Sequence, residues 1–147
     1  MIICDGKIAK NFTLNELANN MAKEKVKLQI TPEFISFINR VQRARDVMVA
    51  MYPSHYTRLG FIVNSCYRTK AFNASVGGDK NSAHLEGRAI DISSIPKEHY
   101  NTLTNVWQTI CEQDNMIGGI NYYTWGVHLT DNEDRFGRHD FTIRDLR

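Results

Sequence analysis

The sequence predicts an α+β fold, a small and mainly antiparallel sheet with flanking helices. Three observations predict it. Apolar residues recur at helical spacing from Phe34 to Met51. Two short runs, 61–67 and 89–93, are rich in β-formers. Near the C-terminal end, 117–123 and 126–130 are spaced as the arms of a hairpin.

The elements follow in order. In Asn11-Phe12-Thr13-Leu14-Asn15-Glu16-Leu17, Thr13 is placed to cap a helix and Glu16 to complete a capping box, so a short helix is expected to about Lys23. Thr31-Pro32-Glu33 opens a second helix with Pro32 in its first turn. Phe34, Phe37, Ile38, Val41, Val47, Met48 and Met51 form its inward stripe, Arg40, Arg43 and Arg45 its solvated face, and Pro53 closes it. Phe61 to Tyr67 reads as a strand, and Arg68 to Ser82 as a polar loop containing Gly77-Gly78. Residues 89–93 form the next strand, and Lys97 to Asp114 a helix with Tyr100, Leu103, Val106, Trp107 and Ile110 inward. His55 and His99 fall near helix ends, as solvent-facing caps. The charged tail from Asp131 is expected to be irregular.

A chain of 147 residues is expected to form a single domain, 1–147, with a core that needs no staples. Its 42% hydrophobic and 23% charged residues are ordinary for a globular protein. The formal net charge of +2, without a basic stripe, is too mild to argue for nucleic acid, and none is expected as a partner. No apolar run reaches membrane-spanning length, and a monomer is expected. Three widely spaced cysteines, Cys4, Cys66 and Cys111, read as reduced thiols rather than a disulfide framework. Met1 to Lys7 lacks the charged and apolar regions of a secretory signal.

The chemistry concentrates in Ser82-Ala83-His84-Leu85-Glu86-Gly87-Arg88-Ala89-Ile90-Asp91 and in Trp125-Gly126-Val127-His128. Two imidazoles and one carboxylate, His84, Asp91 and His128, make a three-ligand zinc site whose fourth position stays open, as in catalytic rather than structural zinc. Gly87 permits a tight turn between the first two. Strand alternation puts Asp91 on a face with Ala89, away from Ile90 and Ile92. The competing reading is a buried His–Asp hydrogen bond at a loop-to-strand corner.

Four motifs occur in order: Ser65-Cys66-Tyr67-Arg68, Asn73-x-x-Val76-Gly77-Gly78, Ser82-x-His84-Leu85-x-Gly87-x-Ala89-x-Asp91 and Trp125-x-x-His128. Together they resemble the zinc D-alanyl-D-alanine carboxypeptidase and L-alanyl-D-glutamate endopeptidase family, over about residues 11 to 130. That family includes phage endolysins and vancomycin-resistance D,D-peptidases, and shares its fold with the hedgehog signalling domain. The resemblance implies zinc on His84, Asp91 and His128, with Arg68 facing the scissile carbonyl or a terminal carboxylate. It places Ser82 beside the first ligand, and Asn73, Gly77 and Gly78 in a structured loop near the cleft. Many members carry a glutamate as general base three residues before the last histidine; here that residue is Trp125. A periplasmic murein endopeptidase branch, similar in its Gly118-Gly119-Ile120-x-x-Tyr123 and Val127-His128-x-x-Asp131 patterns, also lacks it.

The resemblance implies a zinc peptidase acting on the peptide stems or cross-links of bacterial peptidoglycan, of phage-endolysin type, held in the host cytoplasm until lysis. The alternative is a non-catalytic zinc-binding or structural module of a phage particle. Asp131, Glu133 and Glu86 are the acidic candidates for the missing base, and His139 the late histidine. Asp131 is read as that base, as a group orienting a ligand, or as a solvated turn residue. Tyr123 and Trp125 line the cleft and stack on substrate, or pack on the sheet.

Overall fold

The structure is a computed structural model and describes residues 6–18, 30–68 and 70–147. A two-stranded ribbon, β1 (Lys7–Ala9) and β2 (Phe12–Thr13), leads into the short helix α1 (Leu14–Leu17). The capping box forms: Thr13 Oγ1 accepts from the Glu16 amide at 3.3 Å, and the Thr13 amide donates to Glu16 Oε1 at 2.8 Å. The expected continuation from residue 19 to Lys23 lies outside the described residues, as does Cys4.

Helix α2 (Pro32–Met51) starts on Thr31, whose hydroxyl accepts from the Phe34 amide at 3.1 Å. Phe34, Phe37, Ile38, Val41 and Met48 are fully buried, as expected. Each contributes roughly 1.5–3 kcal/mol of burial. Val47 and Met51 are instead exposed. Val47 turns about 100° away from Met48 around the helix, and Met51 sits in the last turn. Pro53 closes α2 by opening another helix, α3 (Pro53–Leu59), with the proline at its first position.

The second sheet has the order β3-β4-β6-β5-β7. Strands β3 (Val63–Ser65), β4 (Ala89–Ile92), β6 (Gly126–Thr130) and β5 (Gly119–Tyr123) pair antiparallel in that sequence, and β7 (Thr142–Asp145) joins β5 in parallel. Two further helices complete the described fold: α4 (Lys70–Ser75), inside the segment expected to be loop, and α5 (Tyr100–Gln113).

One face of the sheet is core. Ile90, Leu129 and Ile120 lie side by side across β4, β6 and β5, as do Ile92, Val127 and Tyr122. Helices α2 and α5 pack against each other at this core, Phe37 meeting Trp107 edge to face at 5.8 Å. Trp107 Nε1 donates to the Thr130 carbonyl at 3.0 Å, tying α5 to the sheet. Cys66 and Cys111 are free and buried, and burial pushes both thiols up from their ordinary values.

Three expectations are corrected. The tail is ordered: Asp131, Asn132 and Glu133 are buried, a 3₁₀ turn spans Glu133–Phe136, and β7 extends the sheet. Arg40 does not lie on a solvated face. Its guanidinium donates to Asp114 at 2.8 Å and to the fully buried Asp131 at 2.8 Å, while Arg88 takes the other Asp131 oxygen at 2.9 Å. The histidines are not solvent-facing caps: His55 Nε2 contacts the Ser94 carbonyl at 2.6 Å, and His99 stacks on Tyr52 at 3.8 Å with its Nδ1 on the Tyr56 hydroxyl. Asp131 is compensated by partners distant in sequence, and the half-buried histidines are likewise held by distant groups.

Removing Arg40 leaves Asp131 buried with half its compensation. Arg40→Ala is expected to lower the unfolding free energy by about 3 kcal/mol. Arg43→Ala, whose Asp114 ion pair is partly exposed, is expected to cost less than about 1 kcal/mol. Urea denaturation of the two variants measures both.

Candidate metal centre

The opposite face of the sheet is polar. Register puts Asp91 of β4 directly beside His128 of β6. His128 Nδ1 lies 2.8 Å from Asp91 Oδ1. The third member comes from outside the sheet. His84 sits on a 3₁₀ turn, Ala83–Glu86, begun by Ser82, whose Oγ accepts from the His84 amide at 3.2 Å. Gly87 ends the turn at φ +66°, and a Cβ there would lie 2.6 Å from the Phe34 ring and 2.9 Å from that of Tyr67. Both the backbone angle and the packing therefore require glycine. The turn carries His84 Nε2 to 3.3 Å from Asp91 Oδ2.

One donor atom from each of His84, Asp91 and His128 falls within 4.8 Å of the others, so the expected ligands converge. The protonation states suit a cation. His84 Nδ1 lies 2.6 Å from the Cys66 carbonyl, which only accepts, so Nδ1 carries the proton and Nε2 presents its lone pair. Burial pulls His84 below its ordinary pKa against the pull of Asp91, keeping the ring neutral at pH 7. Burial works to raise the Asp91 carboxyl, but the opposing contacts, led by the hydrogen bond with His128, hold it well below the usual carboxylate range. A lone pair thus faces an ionised oxygen across 3.3 Å, two acceptors that a positive ion between them would reconcile. Asp91 and His128 remain partly exposed, so the cluster opens to solvent.

Arg68 stands beside it. Nη2 is 3.9 Å from Asp91 Oδ2, Nε donates to Ser65 Oγ at 3.1 Å, and Nη1 donates to Asn73 Oδ1 at 3.3 Å. Its amide donates to the His84 carbonyl at 2.9 Å, linking arginine and ligand through the backbone. Asn73 is held in turn by the Asp79 carbonyl at 2.8 Å, and a Cβ on Gly78 would lie 2.1 Å from Asn73 Oδ1. Gly78 therefore serves the close approach of the loop that braces Arg68, while Gly77, with open space around it, supplies the left-handed backbone angle of the turn.

The remaining expected site residues separate. Ser82 caps the His84 turn. Tyr123 lies on the His128 face of β5 and stacks on Trp125 at 5.0 Å, with Trp125 exposed. Asp131 is not in the cluster: it lies immediately after β6, and both its oxygens are held by Arg40 and Arg88. Burial pushes its carboxyl up from the ordinary value, against the pull of Arg88 and Arg40. Glu133 pairs with Arg138, Glu86 accepts from Asn132 at 3.0 Å, and His139 is exposed. The sequence reading missed the Cys66 carbonyl, a backbone acceptor that no residue type announces, and Asn121, which register places beside His128. The alternation of β5 carries the signal for Asn121.

Two imidazoles and one carboxylate, half-open to solvent, are a donor set that could hold one metal ion with a coordination position left open, unlike the closed four-ligand structural kind. The chain belongs to the Peptidase M15 family, whose model matches residues 10–130, and by that membership it is a metallopeptidase. A comparison with curated proteins finds no match.

The cluster is expected to bind one divalent ion per chain. His84→Ala and Asp91→Asn should each weaken zinc affinity by at least roughly 100-fold, beyond the range seen when only a supporting hydrogen bond to a ligand is lost. Competition with a chromophoric chelator measures this, with metal stoichiometry read by atomic emission.

Proposed function

We propose that the protein is a zinc-dependent peptidase that cuts the peptide stems or cross-links of bacterial peptidoglycan, as phage endolysins do. The observation that carries this reading is the convergence of a neutral His84, an ionised Asp91 and His128 beside the braced guanidinium of Arg68, all within the family match. M15 peptidases are zinc-dependent, and the donor set suits zinc. His84 through Nε2, Asp91 through its carboxylate and His128 would hold it. Bound there, zinc supplies Lewis-acid polarisation and activates water near neutral pH.

The chain's own residues do the rest. The Cys66 carbonyl holds His84 in the tautomer whose Nε2 stays free. Ser65 and Asn73 fix two edges of the Arg68 guanidinium, leaving Nη2 on the cluster side to donate to a carbonyl oxygen as it gains charge. Tyr123 and Trp125 offer a stacked aromatic wall on the same sheet face for the substrate's backbone or sugar. The whole chain, 1–147, acts as one domain and as a monomer, with the wall as partner and no nucleic acid. The lysin reading keeps it in the host cytoplasm until lysis. Among the described residues no helix is long and apolar enough to cross a membrane.

One observation favours the second reading, a non-catalytic module of a phage particle. Trp125 occupies the position of the usual glutamate, and Asp131, Glu133 and Glu86 are all engaged elsewhere. The two readings separate in one experiment. Outer-membrane-permeabilised cells should lose turbidity with the zinc-loaded protein, stop doing so in chelator, and resume with added zinc. Mass spectrometry of the digest identifies the bond cut. Zinc bound at one per chain with no muropeptide released would establish the second reading. Arg68→Ala should lower kcat by about 10²- to 10³-fold while retaining zinc, measured by fragment release and metal content on the same sample.

A further inference from the structure

The polar face of the sheet does not end at the metal cluster. Register places Ser65, Asp91, His128, Asn121 and Arg144 side by side in one row across β3, β4, β6, β5 and β7. Adjacent rows confirm the facing: the core row Ile92, Val127 and Tyr122 continues to Asp145, whose partner Arg147 lies over the Tyr122 ring. Arg144 therefore belongs to the metal side. Two strand spacings, about 10 Å, separate its backbone from that of His128, roughly three residues of extended peptide.

The last two members of the row, Asn121 and Arg144, have nothing to do within the fold. Among the described residues, neither the Asn121 amide nor the Arg144 guanidinium forms a hydrogen bond or ion pair. Other arginines near this face are occupied: Arg68 by Ser65 and Asn73, Arg138 by Glu133. The nearby acids are occupied too. Asp91 faces two imidazoles, and Glu133, which lies against Gly119 of β5, is paired with Arg138. An amide donor and a free guanidinium side by side form a carboxylate-recognition pair, since arginine's planar fork matches the two oxygens. Arg144 also lies beyond the segment matched by the family model, residues 10–130.

We propose that Asn121 and Arg144 form a carboxylate-binding subsite on the metal face of the sheet, seating a free carboxylate of the peptide being cut. The proposal rests on the peptidase reading and narrows it to acidic peptides. A lysine-containing stem pentapeptide carries two such groups, the α-carboxylate of a γ-linked D-glutamate and the C-terminal carboxylate. Asn121 donates from its amide nitrogen and Arg144 from its fork, so the substrate is held by charge at one end and presented to the cluster at the other.

Three synthetic pentapeptides of the form Ala-γ-D-Glu-Lys-D-Ala-D-Ala test it: the free acid, its C-terminal amide, and the D-isoglutamine analogue. KM and kcat are measured on the zinc-loaded protein, and Kd by calorimetry on the metal-free protein, for wild type, Arg144→Gln and Arg144→Lys. Arg144→Gln is expected to raise KM and Kd for the free acid by about 10- to 100-fold, the loss of one charge-assisted contact, with kcat unchanged. It should have no effect on whichever amidated peptide lacks the recognised carboxylate, which identifies that carboxylate, and Arg144→Lys should recover part of the loss. Equal effects of Arg144→Gln on all three peptides, or no effect on any, overturn the subsite while leaving the peptidase reading standing. A wild type that neither binds nor cuts any of the three overturns the peptidoglycan reading, and the subsite with it.

Discussion

The site depends on one electrostatic mismatch. An ionised Asp91 oxygen faces the bare nitrogen of a neutral His84, and the fold enforces the encounter from two sides. Hydrogen-bonded register across β4 and β6 sets Asp91 beside His128. The Cys66 carbonyl, emerging just after β3, fixes the proton on the far side of the His84 ring. Without that carbonyl the ring could turn its N–H to Asp91 and satisfy it internally. The carbonyl acts as the orienting partner that ligating histidines ordinarily have.

What keeps this arrangement rigid lies largely outside it. The His84 turn rests on Phe34 and Tyr67, themselves edge to face at 4.9 Å, so the first ligand is seated on α2 and the core. Behind the sheet, Arg40 of α2 and Arg88 of the ligand-bearing segment converge on Asp131, immediately after β6. Arg88 lies between His84 and Asp91 in the chain. This buried ion-pair group thus joins the two ligand segments to the helix layer. An acid with the spacing of a catalytic base is, in three dimensions, a clamp.

Local signals were legible where local physics decides. The capping box at Thr13, the Thr31 cap with Pro32, the alternation of 89–92 and the hairpin of 119–130 all formed as their residues indicate. Each rests on contacts within a few positions or on a period of two. Illegible parts were those in which a polar residue is held against a distant partner. Arg40, His55, His99 and Asp131 have compositions typical of surface positions, and nothing near them in sequence names Asp114, Ser94, Tyr52 or Arg88. The strand 142–145 was equally hidden, because a four-residue edge strand rich in charge lacks the apolar run that marks a strand in sequence.

By itself the sequence determined the chemistry on offer: two imidazoles, one carboxylate and an arginine, with glycines where the backbone must turn or approach closely. Residue identity sets donor type and conformational freedom, and both can be read without coordinates. Only the tertiary structure decided which groups meet. It joined His84, Asp91 and His128 across three segments, removed Asp131 to the opposite face, and brought Arg144 into line with the ligands through a parallel pairing. The physical reason is that facing across a sheet is set by hydrogen-bond register between strands distant in the chain, a relation that spacing along one strand does not encode.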